Sequence, residues 1–99
     1  MILKVKILEE IEKIKTNKED ISIICMRIYY HISNYLLYIN TNSNFKNDDN
    51  KIYNISSICT DNIECFLKNT KNILSIYTEE ELADMVCNII ITNIKYLKL

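Results

Sequence analysis

A single arginine and a single histidine occur in this chain, and they stand four residues apart at Arg27 and His31. On a helix that spacing places both on one face. An imidazole moves protons near neutral pH and a guanidinium holds a permanent charge, so the pair is the first candidate for chemistry. The four cysteines (Cys25, Cys59, Cys65 and Cys87) are the second. A cysteine nucleophile needs a base within reach, and His31 is the only imidazole available. Cys25 precedes it by six residues rather than by one turn. A dyad would have to recruit Cys59, Cys65 or Cys87 from another helix, and no spacing supports one. The separations of 34, 6 and 22 residues contain no Cys-x-x-Cys pair of the kind a zinc site uses. Asp48 and Asp49 lack the alternating oxygen ligands and the glycine of a calcium loop. Glu79, Glu80 and Glu81 read as the carboxylates of a helix start. The expectation is a protein with no metal and no cofactor.

The Arg27–His31 pair resembles the active-site motif of HEPN-type ribonucleases, small and often dimeric helical proteins in which an arginine is followed by a histidine on one helix. The likeness covers five residues. Ile28, Tyr29 and Tyr30 separate the pair here, where the family has at least four residues, and Ile28 stands where the family has a polar side chain. The resemblance implies RNA cleavage with Arg27 and His31 as the catalytic residues. Taken by themselves the residues say something else. His31 lies among Ile24, Ile28, Ile32 and Tyr35, the setting of a core or interface histidine with one hydrogen bond. Arg27 then either snorkels to solvent or pairs with an acid of a neighbouring helix.

Composition narrows the field further. The 99 residues contain neither glycine nor proline, which excludes phosphate loops, dinucleotide fingerprints and nucleophile elbows, and disfavours an all-β meander. Just over half of the chain is Ile, Asn, Lys and Tyr, whose codons are AT-rich, so the source genome is expected to be AT-rich, such as that of a virus or parasite. The formal net charge is -1 and lysines alternate with acids, so no basic excess points to nucleic acid. Lys4 and Lys6 interrupt the apolar N-terminus and Glu9 and Glu10 follow it, unlike a signal peptide. The chain is therefore expected in the cytoplasm, with its cysteines as free thiols. Cys25 and Cys87, set in Ile-rich faces, are expected to react slowest. The apolar run from Ile21 to Ile39 carries Arg27, His31, Ser33 and Asn34 near its middle, which makes it a buried helix and no membrane span.

Helical periodicity recurs in four segments, and the expected fold is all-α, a compact bundle of four or five helices in one domain over residues 1–99. The first helix spans about Leu3 to Lys15, although Leu3, Val5 and Ile7 alternate with lysines as a strand would. The second spans about Lys18 to Ile39, opened by a capping box from Thr16 to Glu19. Asn40 to Asn50 is an Asn-rich loop that Phe45 tacks to the body. Between Lys51 and Tyr77 the spacing gives two helices with a joint near Cys59 to Asp61, or one long helix. The last helix opens with a second capping box, Thr78 to Glu81. Its stripe runs from Leu82 to Leu97, and Lys95 and Lys98 suit the dipole at its end.

The second helix is apolar nearly all round. Opposite its main stripe stand Ile23, Met26, Tyr30 and Leu37, and Tyr29, Tyr30, Tyr35 and Tyr38 crowd it. A helix in a small bundle keeps one side in water, so an apolar patch that includes Tyr30 and Leu37 is expected to meet a partner. The expected function is that of a non-enzymatic protein acting through protein–protein interaction, as an accessory, inhibitory or assembly subunit. The contact residues would be Tyr29, Tyr30, Leu37 and Tyr38, and the partner another protein or a second copy, with no nucleic acid and no membrane.

Overall fold

Burial decides between the two readings of the first segment. In the computed structural model, which describes residues 2–44, 46–69, 73–95 and 97, the stretch Ile2–Asn17 is helix α1. Leu3, Ile7, Ile11 and Ile14 are buried along one side of it, and Val5 is exposed. A strand would have set Leu3, Val5 and Ile7 on one face. The helical stripe wins because it brings four large side chains to the core instead of three. Helix α2 spans Ile21–Thr41, α3 Asp49–Asn69, the single turn α4 Ile73–Ile76, and α5 Glu79–Ile94. The protein is all-α, and no strand occurs among the described residues.

Each long helix packs mainly against two others: α1 against α2 and α5, and α3 against α2 and α5. The four surround one continuous core. Its fully buried members include Ile7 and Ile11 of α1, Ile24, Ile28, Ile32 and Leu36 of α2, Ile52 and Ile63 of α3, and Leu82 and Val86 of α5. The radius of gyration is 13.5 Å, near the ~13 Å of a compact domain of this length. Polar links between neighbouring elements occur at separate points along the helices. Glu10 meets Arg27, which sets α1 and α2 antiparallel. Glu64 meets Ser22 near one end of the α2–α3 pair. At the other end Asn40 accepts from the backbone of Asn47 at 2.7 Å and donates to its carbonyl at 2.9 Å. Ser33 and Ser56 are buried, and each hydroxyl donates to a carbonyl one turn back in its own helix, Tyr29 and Ile52 respectively.

Helix ends depart from expectation in two places. Thr16 does not cap α2. It sits in the last turn of α1, where its hydroxyl donates to the Glu12 carbonyl at 2.7 Å. Lys18 then takes a left-handed conformation, with φ of 52°, at a position that glycine usually fills after a helix. Asp20 is the cap of α2 and accepts from the Ser22 amide at 2.7 Å. The Thr-x-x-Glu spacing matched a capping box, but Glu19 is drawn to Arg27 instead. The second departure is that α3 runs unbroken through Cys59 to Asp61. Ile52, Ser56, Cys59, Ile63 and Leu67 keep one buried face across that stretch, and without glycine or proline nothing interrupts it. The capping box at Thr78 forms as expected, with Thr78 Oγ1 accepting from the Glu81 amide and Glu81 accepting from the Thr78 amide. Asn-rich residues 42–48 form the α2–α3 connection. Phe45 and Lys98 lie outside the described residues.

These caps make a paired prediction for chemical denaturation. Asp20→Ala should lower stability by about 1 kcal/mol, the usual value of a lost cap. Asp61→Ala should leave stability unchanged or raise it by up to ~0.5 kcal/mol, because alanine is the better residue inside a helix. A loss at Asp61 equal to that at Asp20 would mean that a helix starts there after all.

Candidate functional site

Helix α2 carries the Arg27–His31 pair and all four expected contact residues, and α1 determines which of them remain available. Glu10 falls on the buried side of α1, next to Ile7 and Ile11, and is only 2% exposed. A lone carboxylate there would be costly to ionise. Arg27 supplies the partner: its Nε donates to Glu10 Oε2 at 2.7 Å and to Oε1 at 3.2 Å. Lys13 donates to Glu10 Oε1 at 3.0 Å, and a terminal nitrogen of Arg27 also donates to Glu19. Burial pushes the Glu10 carboxyl upward, but hydrogen bonds from Arg27 and Lys13 outweigh it and hold the group below the usual carboxylate range. The same two carboxylates raise the Arg27 guanidinium further. Of the two alternatives for Arg27, pairing with an acid of the neighbouring helix is what the structure shows.

His31 lies one turn further along α2 and is half-buried. It lines a shallow groove of about 350 Å³ between the start of α1 and the second half of α2, together with Ile2, Leu3, Lys6, Asn34, Tyr35 and Tyr38. The expected single hydrogen bond is not found for it among the described residues. So the two residues share a helix face but have different surroundings: Arg27 is engaged by two carboxylates, and His31 borders an apolar hollow. Among the described residues no group of three His, Cys, Asp or Glu side chains could hold a metal.

The outer face of α2 is apolar. Ile23 is 52% exposed, Met26 61%, Tyr30 59% and Tyr38 71%. Ile23, Met26 and Tyr30 follow at helical neighbour spacing and adjoin one another, and exposed Asn34 stands between Tyr30 and Tyr38. Tyr29 is half-buried and braces Tyr30 edge to face, with ring centroids 5.5 Å apart and planes at 73°. Leu37 is half-buried and packs against the core. Of the four expected contact residues, Tyr30 and Tyr38 are therefore open to solvent, Tyr29 is half-buried against Tyr30, and Leu37 packs on the core. Ile23 and Met26 belong to the surface as well. Their spacing from Tyr30 carried that signal.

All four cysteines are free. Burial pushes the Cys25 and Cys59 thiols up to about 11 and raises that of Cys87. Cys65 is exposed. Cys59, fully enclosed by the core, thus belongs with the slow pair expected from sequence. No helix among the described residues is long and apolar enough to cross a membrane. No known protein family, curated protein or solved structure matches this chain.

Two measurements follow from this geometry. A thiol reagent at neutral pH should modify one cysteine, Cys65, at the rate of a free thiol, and the other three only as the fold opens. Two or more fast thiols would contradict the burial described. For the ion pair, Arg27→Met leaves Glu10 buried beside Lys13 alone, and the variant should be less stable at neutral pH. The folded Glu10 carboxyl of the natural chain lies below its unfolded value of about 4.3. Its contribution is present above that value and is lost as pH falls through the depressed folded value. The gap in melting temperature between natural chain and variant should therefore narrow in acid, and a gap that stays constant down to pH ~2 would exclude the pairing as its source.

Proposed function

We propose that this chain is a small non-enzymatic cytoplasmic protein that works by protein–protein contact, as an accessory, inhibitory or assembly subunit. It is a helical bundle that uses the outer face of α2 as its contact surface. One observation carries the reading: four large hydrophobic side chains, Ile23, Met26, Tyr30 and Tyr38, are more than half exposed on a single helix. Isolated exposed apolar residues are ordinary on protein surfaces, but an adjoining row of them marks a place where something binds. Tyrosine and methionine are also the side chains that interfaces favour, because they bury area and adapt their shape. No specific observation favours the nuclease reading, since the guanidinium that would meet a phosphate is engaged by Glu10 and Glu19.

The test is a double substitution, Met26→Lys with Tyr38→Lys, compared with the natural chain. Both sites are on the surface, so helicity should be unchanged and each change should cost no more than about 0.5 kcal/mol. Leu37 is unsuited to this purpose, because a lysine there would disturb the core. The natural chain should form a complex, seen as a larger hydrodynamic size in solution or as proteins retained from an extract of its source, and the variant should lose it. Identical behaviour of the two proteins at every concentration and in every extract would end the contact reading.

A further inference from the structure

The exposed row on α2 has a symmetry of its own. Ile23, Met26, Tyr30, Asn34 and Leu37 follow at separations of three, four, four and three, a spacing that reads the same in both directions from Tyr30. With 3.6 residues per turn, the five positions stay within about 80° of the helix circumference. Four of them are exposed and Leu37 is half-buried. We propose that a second copy of this chain covers this face, with the two α2 helices antiparallel across a twofold axis at Tyr30. The proposal rests on the contact role assigned to the face above. Under that axis Tyr30 meets Tyr30 of the second copy, Met26 meets Asn34, and Ile23 meets Leu37, so no position of the row lacks a counterpart.

Charge favours a second copy over an unlike partner. Between Ile21 and Thr41 there is no Asp, Glu or Lys. Arg27, the one fixed charge of the helix, is neutralised by Glu10 and Glu19. In a twofold contact each patch faces its own image, and a charged row would repel itself. This row has nothing to repel and offers no charge by which an acidic or basic partner could be selected. Shape adds to the case. Asn34 lines the groove of about 350 Å³ between α1 and α2, and the axis brings Met26 of the second copy to that position. An unbranched thioether suits an irregular hollow of this size.

The row itself is small. At roughly 200 Å² for a large side chain left fully exposed, Ile23, Met26 and Tyr30 offer about 350 Å² per copy. The flanking Tyr38 and Ile2 must also be covered for both copies together to reach about 1,200 Å², the lower edge of specific interfaces. An interface at that edge is expected to be reversible on dilution.

Sedimentation of the purified full chain from about 1 to about 200 µM should bracket the dissociation of an interface of that size. The mass should rise from 11.7 kDa toward twice that value. Tyr30→Lys sets two ammonium groups against each other on the axis and should raise the dissociation constant at least about a hundredfold. A second variant reports the axis directly. In a Cys65→Ser background, Tyr30→Cys should oxidise to a linked dimer, because only a residue on the axis meets itself within disulfide reach. Met26→Cys in the same background should not. A mass that stays monomeric throughout, or Tyr30→Cys linking no faster than Met26→Cys, overturns the twofold pairing. If the monomer still captures a protein that Met26→Lys with Tyr38→Lys releases, only this pairing fails. If it captures nothing, the contact reading fails with it.

Discussion

A buried carboxylate on α1 governs what α2 can be. Glu10 has to find a cation in a place where water does not reach, and the chain has one arginine to offer. Arg27 turns toward α1 to meet it, and Glu19 in the connection closes the other side. Three consequences follow from that one demand. The α1–α2 hairpin is fixed in its antiparallel register, the connection is drawn onto α2, and the outer face of α2 is left without its only permanent charge. The row from Ile23 to Tyr38 carries no charge because the only charged residue of α2 is engaged by Glu10 and Glu19, and Asn34 is its one polar member.

How far the sequence could be read depended on whether one signal acted alone. Helix α5 was legible because its cap and its stripe agree: Thr78 and Glu81 close the box, and Leu82, Val86 and Ile90 face inward. Helix α3 was legible as helix, but spacing alone allows two readings of Cys59 to Asp61, a joint or a continuous helix. Asp61 and Glu64 imitate a start signal in the middle of a buried stripe, and the apolar contacts of Cys59 and Ile63 outweigh a cap that the helix does not need. The entrance to α2 was misread for a related reason. Two carboxylates, Glu19 and Asp20, stood beside a plausible threonine, and only the position of Arg27 decides which one caps and which one pairs.

The exposed face of α2 was half legible. Periodicity identified the side of α2 opposite the core, with Ile23, Met26, Tyr30 and Leu37 on it. It could not grade them, because depth depends on how closely α1 and α3 flank the helix, and that spacing is a tertiary quantity. Leu37 sits low enough to pack on the core, whereas Tyr38, one residue further, stands clear of it. Pairing of Arg27 with an acid of a neighbouring helix was one of two readings, but which acid was not legible. Glu10 stands between Glu9 and Ile11 and looks like any surface acid until the rotation of α1 about its axis is known.

The hydroxyls of Ser33 and Ser56 bear on how firmly the helices are held against one another. Each is buried, and each is satisfied within its own helix. Most of what passes between helices is therefore the interlocking of branched aliphatic side chains, mostly isoleucine. Directional bonds join neighbouring elements at separate points, such as Glu10 with Arg27 midway along α1 and Asn40 with Asn47 where α2 ends. Each dispersion contact is weak and undirected, but side chains packed this closely have no room to slip past one another. The interlocked core therefore resists an axial slide of α2 as firmly as the ion pair does, and the outer tyrosines are carried on a helix that is held along its whole length.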